Sequence, residues 1–278
     1  MKKSFIIIII ILGSLFLLYL VFAAQKEKDL EVVFLQVGQG DSILARSPYG
    51  QNILIDGGPD NTVVYELGRS LPFYDRTIDL MILTHPHADH VTGLIEVLKR
   101  YEVKNILYTG VNHSSPAYLE FLKTIKEKQI PMKIVSSRQK IKLGEDLYLD
   151  VIWPLNDLVN KEVNNLNNTS IVARLNYKDA SFLFTGDIEK ETEQELLNIY
   201  SDLGSDVLKV AHHGSDTSST RDLLEAVSAK IAVITYGDNN FGFPSFDVLK
   251  RLESLEMDVL DTSRMRISIK SNGFNVFR

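Results

Sequence analysis

The chain has 278 residues, with 30 Lys and Arg against 36 Asp and Glu, a hydrophobic fraction of 45% and no cysteine. This composition is typical of a globular protein with a large core, and it excludes disordered, collagen-like and disulfide-rich classes; the acidic balance also disfavours avid, nonspecific nucleic-acid binding. Without cysteine there is no thiol catalysis or thiolate metal site, so any metal must be bound by His, Asp, Glu or Asn.

The first element is an almost unbroken apolar run from Phe5 to Ala24, which follows two lysines and precedes a charged stretch at 26–29. Such a run is long enough to span a bilayer, although Val21-Phe22-Ala23 also offers a small-residue cleavage site. Residues 1–24 are therefore predicted to be a transmembrane anchor, with a cleaved signal peptide as the alternative. Because lysines precede the run, the remaining chain is predicted to be extracytoplasmic, attached to the cell membrane if the helix is uncleaved and secreted if it is cut.

Residues 30–278 contain no linker or low-complexity tract, and they are predicted to form one domain. A strand-rich, hairpin-like front is followed by helices that alternate with strands, which predicts mixed sheets covered by helices, an α/β fold. The predicted strands are Glu31–Val37, Ser42–Ala45, Asn52–Ile55, Leu80–Leu83, Asn105–Tyr108, Leu147–Trp153, Ile171–Leu175, Ser181–Phe184, Val207–Ala211, Ile231–Thr235, Arg266–Ile269 and Phe274–Phe277. The predicted helices are Val63–Leu71, Val91–Tyr101, Ala117–Lys128, Glu189–Ile199, Thr220–Val227 and Phe246–Leu255.

Three of the six histidines fall within the segment from His85 to His90, directly after a predicted strand. Pro86 stiffens this loop, and alternation places His85 and His87 on one side, while Asp89 and His90 face the other way at the start of a helix. One loop of this geometry can supply ligands to two metal ions.

Two other strand ends offer the remaining ligands. Asp187 ends an apolar strand, and a carboxylate can bridge two cations because its two oxygens can face different metals. A later strand ends in His212 and His213, which point in opposite directions, so one is predicted to bind metal and the other to face substrate or solvent. A turn or helix cap at Asp187, and two purely structural histidines, are the alternatives.

The order of these motifs resembles the metallo-β-lactamase-fold hydrolases and, within them, the hydrolase domain of ComEC-like competence proteins. The resemblance covers nearly all of residues 30–278 and implies a four-layer αβ/βα fold with a two-metal site between its halves. It rests on the segments 37–42 (VGQGDS), 54–58 (LIDGG), 85–94, 168–170 (NTS), 183–189 (LFTGDIE), 208–215 (LKVAHHGS) and 218–219.

The resemblance also implies ligand roles for individual residues. His85 and His87 would bind one metal, Asp89 and His90 the other, and Asp187 would bridge the two. His212 is favoured as the further ligand and His213 as the group near the scissile bond, and the reverse assignment stays open. The residues assigned to catalysis are His213 and Asp89.

Residues around this set carry supporting roles in the resemblance. Asp56 is implied to be the buried acid beneath the metal loop, and Asp41 to be structural or to line the cleft. Asn168 stands where many superfamily members have a histidine, so the shell is richer in oxygen and Mn²⁺ becomes a candidate beside Zn²⁺. Ser215 could hold a substrate oxygen. Phe243 stands where the ComEC-like pattern usually has His, which leaves the substrate open.

Two cations about 3.5–4 Å apart would activate a water for hydrolysis without a nucleophilic side chain. The favoured function is an extracytoplasmic phosphodiesterase, a nuclease acting on DNA, as the resemblance implies. A hydrolase of a cell-wall phosphodiester, a lactone or another small ester is the second hypothesis, to which the acidic net charge lends modest support. The third is a nonenzymatic binding module, against which the complete His and Asp pattern argues. His113 is predicted to lie on a surface loop, with a position that reaches the cleft as the alternative.

Overall fold

The computed structural model describes residues 11–17, 29–159, 161 and 163–278. Residues 11–17 are helical (α1) and belong to the predicted apolar segment. The rest of that segment, with the predicted cleavage site, lies outside the described residues. Within the part of the chain that is described, no helix is both long enough and apolar enough to cross a membrane.

The domain consists of short strands and helices that follow the predicted order. The strands are β1 (Leu30–Phe34), β2 (Ile43–Arg46), β3 (Asn52–Ile55), β4 (Thr77–Ile78), β5 (Leu80–Ile82), β6 (Glu102–Val103), β7 (Ile106–Tyr108), β8 (Met132–Ile134), β9 (Gln139–Lys142), β10 (Leu147–Trp153), β11 (Val172–Tyr177), β12 (Ala180–Phe184), β13 (Val207–Lys209), β14 (Ile231–Ile234), β15 (Asp258–Asp261), β16 (Ile267–Ser271) and β17 (Val276–Phe277). The helices are α2 (Thr62–Ser70), α3 (Ala88–Arg100), α4 (Pro116–Lys128), α5 (Lys190–Ile199), α6 (Arg221–Val227) and α7 (Phe246–Ser254).

Two large sheets form the centre of the fold. The first has the order β17-β16-β1-β2-β3-β5-β7-β8, the second has the order β15-β14-β13-β12-β11-β10-β9, and β4 pairs with β6 in a small separate sheet. The large sheets pack face to face through a core to which both contribute, with the rings of Phe34 and Phe184 6.4 Å apart. Helices α2 to α4 cover the first sheet and α5 to α7 the second. The four-layer αβ/βα fold is thus confirmed.

Strand β1 shows why the central strands are apolar on both faces. Val32 and Phe34 pack in the core between the sheets, whereas Val33 and Leu35 pack beneath the helices. Alternation therefore directs successive side chains into two different cores, both of them dry. Burying both faces of the sheets holds the strand ends, and the loops after them, in one arrangement.

The main differences from the predicted elements are at exposed edges. Strands β4, β6, β8, β9 and β15 were not predicted, and β8 and β9 are edge strands of the two large sheets. All three residues of β8 are exposed, so the strand shows none of the apolar pattern by which buried strands are recognised. Helix α3 begins at Ala88 rather than at Val91, which places Asp89 and His90 in its first turn.

The loops that follow β3, β5, β12 and β13 meet at one end of the two-sheet sandwich. Strands β3 and β5 are parallel neighbours in the first sheet, and β12 and β13 are parallel neighbours in the second. Parallel strands place their carboxyl ends at the same edge, where binding sites in α/β folds form. Asp56, His85, Asp187 and His212 follow these four strands.

Glycine at position 93 permits a close contact between α3 and the loop after β3. A Cβ atom added to Gly93 would lie 1.9 Å from the carbonyl oxygen of Gly57. We expect Gly93→Ala to lower the free energy of unfolding, measured in urea, by about 1–3 kcal/mol because the helix must move away. In the matched control Gly68→Ala, where space is open, the change should be stabilising by up to about 1 kcal/mol. Equal effects of the two changes would contradict the prediction.

Candidate metal centre

The loop between β5 and α3 presents two histidines side by side. His85 is buried, and its Nε2 lies 3.0 Å from Nδ1 of His87. His87 has extended backbone angles and immediately precedes α3. The two rings therefore lie on the same side of the loop, as the alternation around Pro86 predicts.

Asp56 supports this loop from beneath. One of its carboxylate oxygens accepts a hydrogen bond from the backbone N–H of Thr84 (2.8 Å), and the other accepts one from the Thr84 hydroxyl (2.7 Å). The second oxygen also lies 2.8 Å from Nδ1 of His90, so that Nε2 of His90 points away from Asp56. Burial raises the pKa of Asp56, while the neighbouring His90 opposes that shift. Asp56 thus positions both the loop and the ring of His90.

Asp187, from the second half of the molecule, lies beside the same histidines. Its Oδ2 lies 3.1 Å from Nε2 of His90, 3.2 Å from Nε2 of His213 and 3.9 Å from Nε2 of His85. Its Oδ1 lies 3.3 Å from Nζ of Lys209. One oxygen of Asp187 therefore faces the imidazoles and the other faces lysine, and its role as a bridge between two metals stays a prediction.

Four side chains form a compact set of donors. Ligand atoms of Asp89, His90, Asp187 and His213 all lie within 4.8 Å of one another. Nε2 of His213 is buried between Asp187 Oδ2 (3.2 Å) and Asp89 Oδ2 (3.4 Å), but makes no well-aligned hydrogen bond to any described residue. A buried nitrogen that faces two carboxylates without a well-aligned hydrogen bond is suited to bind a cation together with them. Two carboxylates and two imidazoles fit a divalent cation such as Zn²⁺ or Mn²⁺.

Of the two adjacent histidines, His213 faces this cluster, which corrects the sequence-based preference for His212. Nδ1 of His213 lies 2.8 Å from the carbonyl oxygen of Thr235, an arrangement that turns Nε2 toward Asp187. His212 is partly exposed, lies 3.4 Å from a carboxylate oxygen of Glu189 and packs edge-on against Phe243. Both histidines have a positive φ, 49° and 54°, so the strand alternation behind the prediction has already ended.

Lys209 is a component of the site that the sequence analysis overlooked. Its side chain is fully buried, and Nζ donates to the carbonyl oxygen of Gly186 (2.8 Å) and lies 2.5 Å from Asp41 Oδ2. Burial disfavours its charge, but Asp41 and Asp187 raise the pKa of Lys209 above its ordinary value. Lys209 is the one charged residue among the apolar residues 207–211, and such a charge indicates a buried partner because a buried charge requires one.

The other predicted supporting residues are Asp41, Asn168 and Ser215, and their side chains make different contacts. Asp41 is buried and accepts a 2.5 Å hydrogen bond from Thr235, in keeping with a structural role. Asn168 does not reach the cluster, because its side-chain oxygen accepts from the backbone N–H of Glu189. The buried hydroxyl of Ser215 bonds to Thr217. The substrate-contacting roles of Asn168 and Ser215 therefore stay predictions.

Ser170 and His113 also lie beside the histidines. The hydroxyl of Ser170 lies 3.2 Å from Nδ1 of His85 and accepts from the backbone N–H of Asp187, so it connects the two halves. His113 lies in the loop before α4, partly exposed, with its ring 6.5 Å from that of His87, in agreement with the alternative that it reaches the cleft. Ser170 belongs to a segment that carries the resemblance, but its partners are distant in the chain and only the structure reveals them.

The electrostatics of the cluster favour ionised carboxylates. Burial opposes ionisation of Asp187, but His213, His90 and Lys209 together hold its pKa well below the ordinary value. Burial likewise disfavours protonation of His213, yet Asp187 and Asp41 raise its pKa to about 9. Ligand imidazoles must be neutral to bind metal, so we infer that cation binding here is coupled to proton release.

The two histidines after β13 should differ in their effect on metal content. We expect His213→Ala to lose bound Zn²⁺ or Mn²⁺, measured by elemental analysis after reconstitution, because Nε2 of His213 faces the carboxylates. His212→Ala is the matched variant and should retain its metal. Loss of metal in His212→Ala but not in His213→Ala would show that His212 is the ligand.

Removal of the buried ammonium group should destabilise the fold. In Lys209→Met, the carboxylates of Asp41 and Asp187 lose their cation, and we expect the free energy of unfolding of the metal-free protein to fall by about 3–5 kcal/mol. Urea unfolding measures this, with the exposed Lys230→Met as a control that should change by less than about 1 kcal/mol. Equal stability of the two variants would mean that Lys209 is not needed to balance these charges.

Comparison with known proteins identifies the family of this chain. A family model described as the metallo-beta-lactamase superfamily matches residues 35–238. The chain is 29% identical over 269 residues to ComE operon protein 3 of Bacillus subtilis (strain 168), which covers 90% of this chain and 34% of that protein. It is 28% identical to the competence protein ComA of Neisseria gonorrhoeae, over 86% of this chain and 32% of that one. The chain thus spans about a third of the length of these relatives.

A solved structure shares the fold. Igni18, a metallo hydrolase from the hyperthermophilic archaeon Ignicoccus hospitalis, superposes with a TM-score of 0.56 at 13% identity, covering 87% of this chain and 98% of that one. The match of the family model over most of the chain, and the two covered sheets with their cluster of His and Asp, show that this chain belongs to the metallo-β-lactamase superfamily and has its hydrolase fold.

Proposed function

We propose that this protein is a metal-dependent phosphodiesterase of nuclease type that uses two divalent cations, Zn²⁺ or Mn²⁺. The observation that carries the proposal is the convergence of imidazoles from both halves of the molecule on one oxygen of Asp187. A carboxylate oxygen shared in this way suits a bridging ligand between two cations.

The ligand set divides at Asp187. His85 and His87 would hold one cation, and Asp89, His90 and His213 the other, with Asp187 contributing to both. Bound cations would supply an activated water and stabilise negative charge on the substrate oxygens. Asp56, Lys209 and Asp41 do not touch the substrate in this proposal. They keep the ligands oriented, as partners beyond the metal shell commonly do.

His212 takes the role that the sequence analysis assigned to His213. Its ring lies 6.1 Å from that of His213 and is partly exposed at the rim of the cluster. Glu189 and Thr217 both lie 3.4 Å from its Nδ1, whereas its Nε2 has only a 3.5 Å contact with the side-chain nitrogen of Asn167, which a leaving group could replace. We infer that His212 orients the substrate and moves a proton at Nε2.

DNA is the proposed substrate because the chain resembles ComEC-like competence proteins and one similar protein is named competence protein ComA. The proposed location is extracytoplasmic because lysines precede the apolar run from Phe5 to Ala24. The formal net charge of −6 disfavours nonspecific electrostatic attraction of a polyanion. The same charge favours the second candidate, a small cell-wall phosphodiester. Both candidates share the chemistry of the phosphodiester bond.

Side-by-side hydrolysis assays test the reaction class. The full chain, stripped with chelator and reloaded with Mn²⁺ or Zn²⁺, should cleave bis(p-nitrophenyl) phosphate and linear DNA, and chelator should abolish both activities. His87→Ala and Asp187→Ala should reduce turnover beyond the roughly 10- to 100-fold typical of outer-shell changes. Tyr65→Ala, on the exposed surface of α2, is the control that should retain turnover.

The pattern of substrates decides between the alternatives. Cleavage of bis(p-nitrophenyl) phosphate without cleavage of DNA would favour the small phosphodiester. Hydrolysis of a lactone or a β-lactam with neither phosphodiester cleaved would refute the proposal, as would metal-loaded protein that cleaves none of these substrates.

A further inference from the structure

Exposed aromatic rings cluster at the end of the sandwich opposite the metal cluster. Phe73, Tyr74 and Phe274 are 89%, 76% and 63% exposed, and Tyr49 is 47% exposed. We call these four residues the aromatic end. Their position follows from the strand pairings, because each lies in a turn or loop at the far ends of the strands from the metal-binding loops.

Two of the rings flank the point at which the chain enters the domain. The first residue of β1, Leu30, pairs with Ser271, and the turn that contains Phe274 follows Ser271. On the other side, Glu31 pairs with Arg46, and the turn that contains Tyr49 follows Arg46. The chain that precedes β1 therefore arrives between two turns with exposed aromatic tips.

The other two rings belong to the loop between α2 and β4. The adjacent residue, Asp75, accepts a 2.8 Å hydrogen bond from the side chain of Asn52, the first residue of β3. Because the turn with Tyr49 leads directly into Asn52, this loop lies at the same end. Phe73 and Tyr74 pack edge-on against each other with ring centroids 5.3 Å apart, and remain largely in solvent.

Packing within the domain does not explain why these four rings are exposed at one end. Single exposed apolar residues are ordinary, but several large aromatic side chains grouped at one end indicate an interaction surface. A recess of about 500 Å³ between the two sheets opens toward the same end; besides the ion pair of Lys104 with Asp79, its lining contains the exposed Lys133 and Lys142. Aromatic rings with lysines nearby are the combination favoured at the membrane–water interface, where anionic headgroups attract the lysines.

The segment between the apolar run and β1 is short, which limits how far this surface can lie from a bilayer that holds the run. Six peptide units separate Ala24, the end of the apolar run, from Leu30 at the start of β1. Even fully extended, they span at most about 22 Å. The headgroup layer on each side of a bilayer is about 5–8 Å thick. A bilayer that holds residues 5–24 would therefore lie close to the aromatic end.

We propose that the aromatic end docks on the headgroup layer of the bilayer into which residues 5–24 insert. Tyr49, Phe73, Tyr74 and Phe274 lie at the level of the headgroups, and the cluster around Asp187 faces the aqueous phase on the far side of the domain. This orientation leaves the metal-binding loops open to soluble or wall-bound substrates. It concerns geometry alone and does not depend on the reaction that the cluster performs.

Spin labels can test this orientation because the chain has no cysteine of its own. The full chain, reconstituted in phosphatidylcholine and phosphatidylglycerol vesicles, is labelled with a nitroxide at Phe73→Cys or Phe274→Cys. The matched control is Phe241→Cys, which is 71% exposed and stacks on Phe243 beside His212, at the metal end. Collision rates of each label with oxygen and with a water-soluble nickel chelate then report its depth.

We expect the ratio of oxygen to nickel collisions to be several-fold higher at positions 73 and 274 than at position 241. Equal, water-like ratios at all three positions would overturn the proposal. So would a high ratio at position 241 alone, which would mean that the metal end faces the membrane. Failure of the full chain to associate with vesicles would overturn it as well.

Discussion

The carboxylate of Asp187 is the point on which the arrangement of the site depends. One of its oxygens lies among imidazoles from both halves of the molecule, while Lys209 holds the other oxygen. Asp187 follows β12 and Lys209 ends β13, both in the second sheet, whereas His90 lies in the first turn of α3, which follows β5 of the first sheet. The site is therefore complete only when the two sheets pack in one relative position, and the apolar core between them provides that position.

Several ionisable groups are buried beneath the cluster, and each has a dedicated partner. Asp56 is held by Thr84 and His90, and Asp41 is held by Lys209 and Thr235. Removal of charges from water is expensive unless partners replace the lost hydration. The partners come from different strands, so the polar layer also fixes how those strands align. The same contacts thus stabilise the fold and orient the metal-binding side chains.

Much of the fold and the metal loop could be predicted because the signals are local. Strand β10 and helix α4 follow from apolar periodicity, and the grouping of His85 and His87 is visible in six consecutive residues. The edge strands β8 and β9 could not be predicted in this way. Their side chains are largely exposed, and they exist because a neighbouring strand offers hydrogen bonds.

The sequence by itself determined the order of elements, the four-layer fold and the clustering of His and Asp at strand ends. Only the tertiary structure decided which of His212 and His213 faces the cluster, since their left-handed backbone and the carbonyl of Thr235 replace strand alternation there. It likewise revealed Lys209 as the partner of Asp41, 168 positions away in the chain. Periodicity encodes which side of a strand is buried, whereas pairing of buried charges depends on distances between strands that only packing sets.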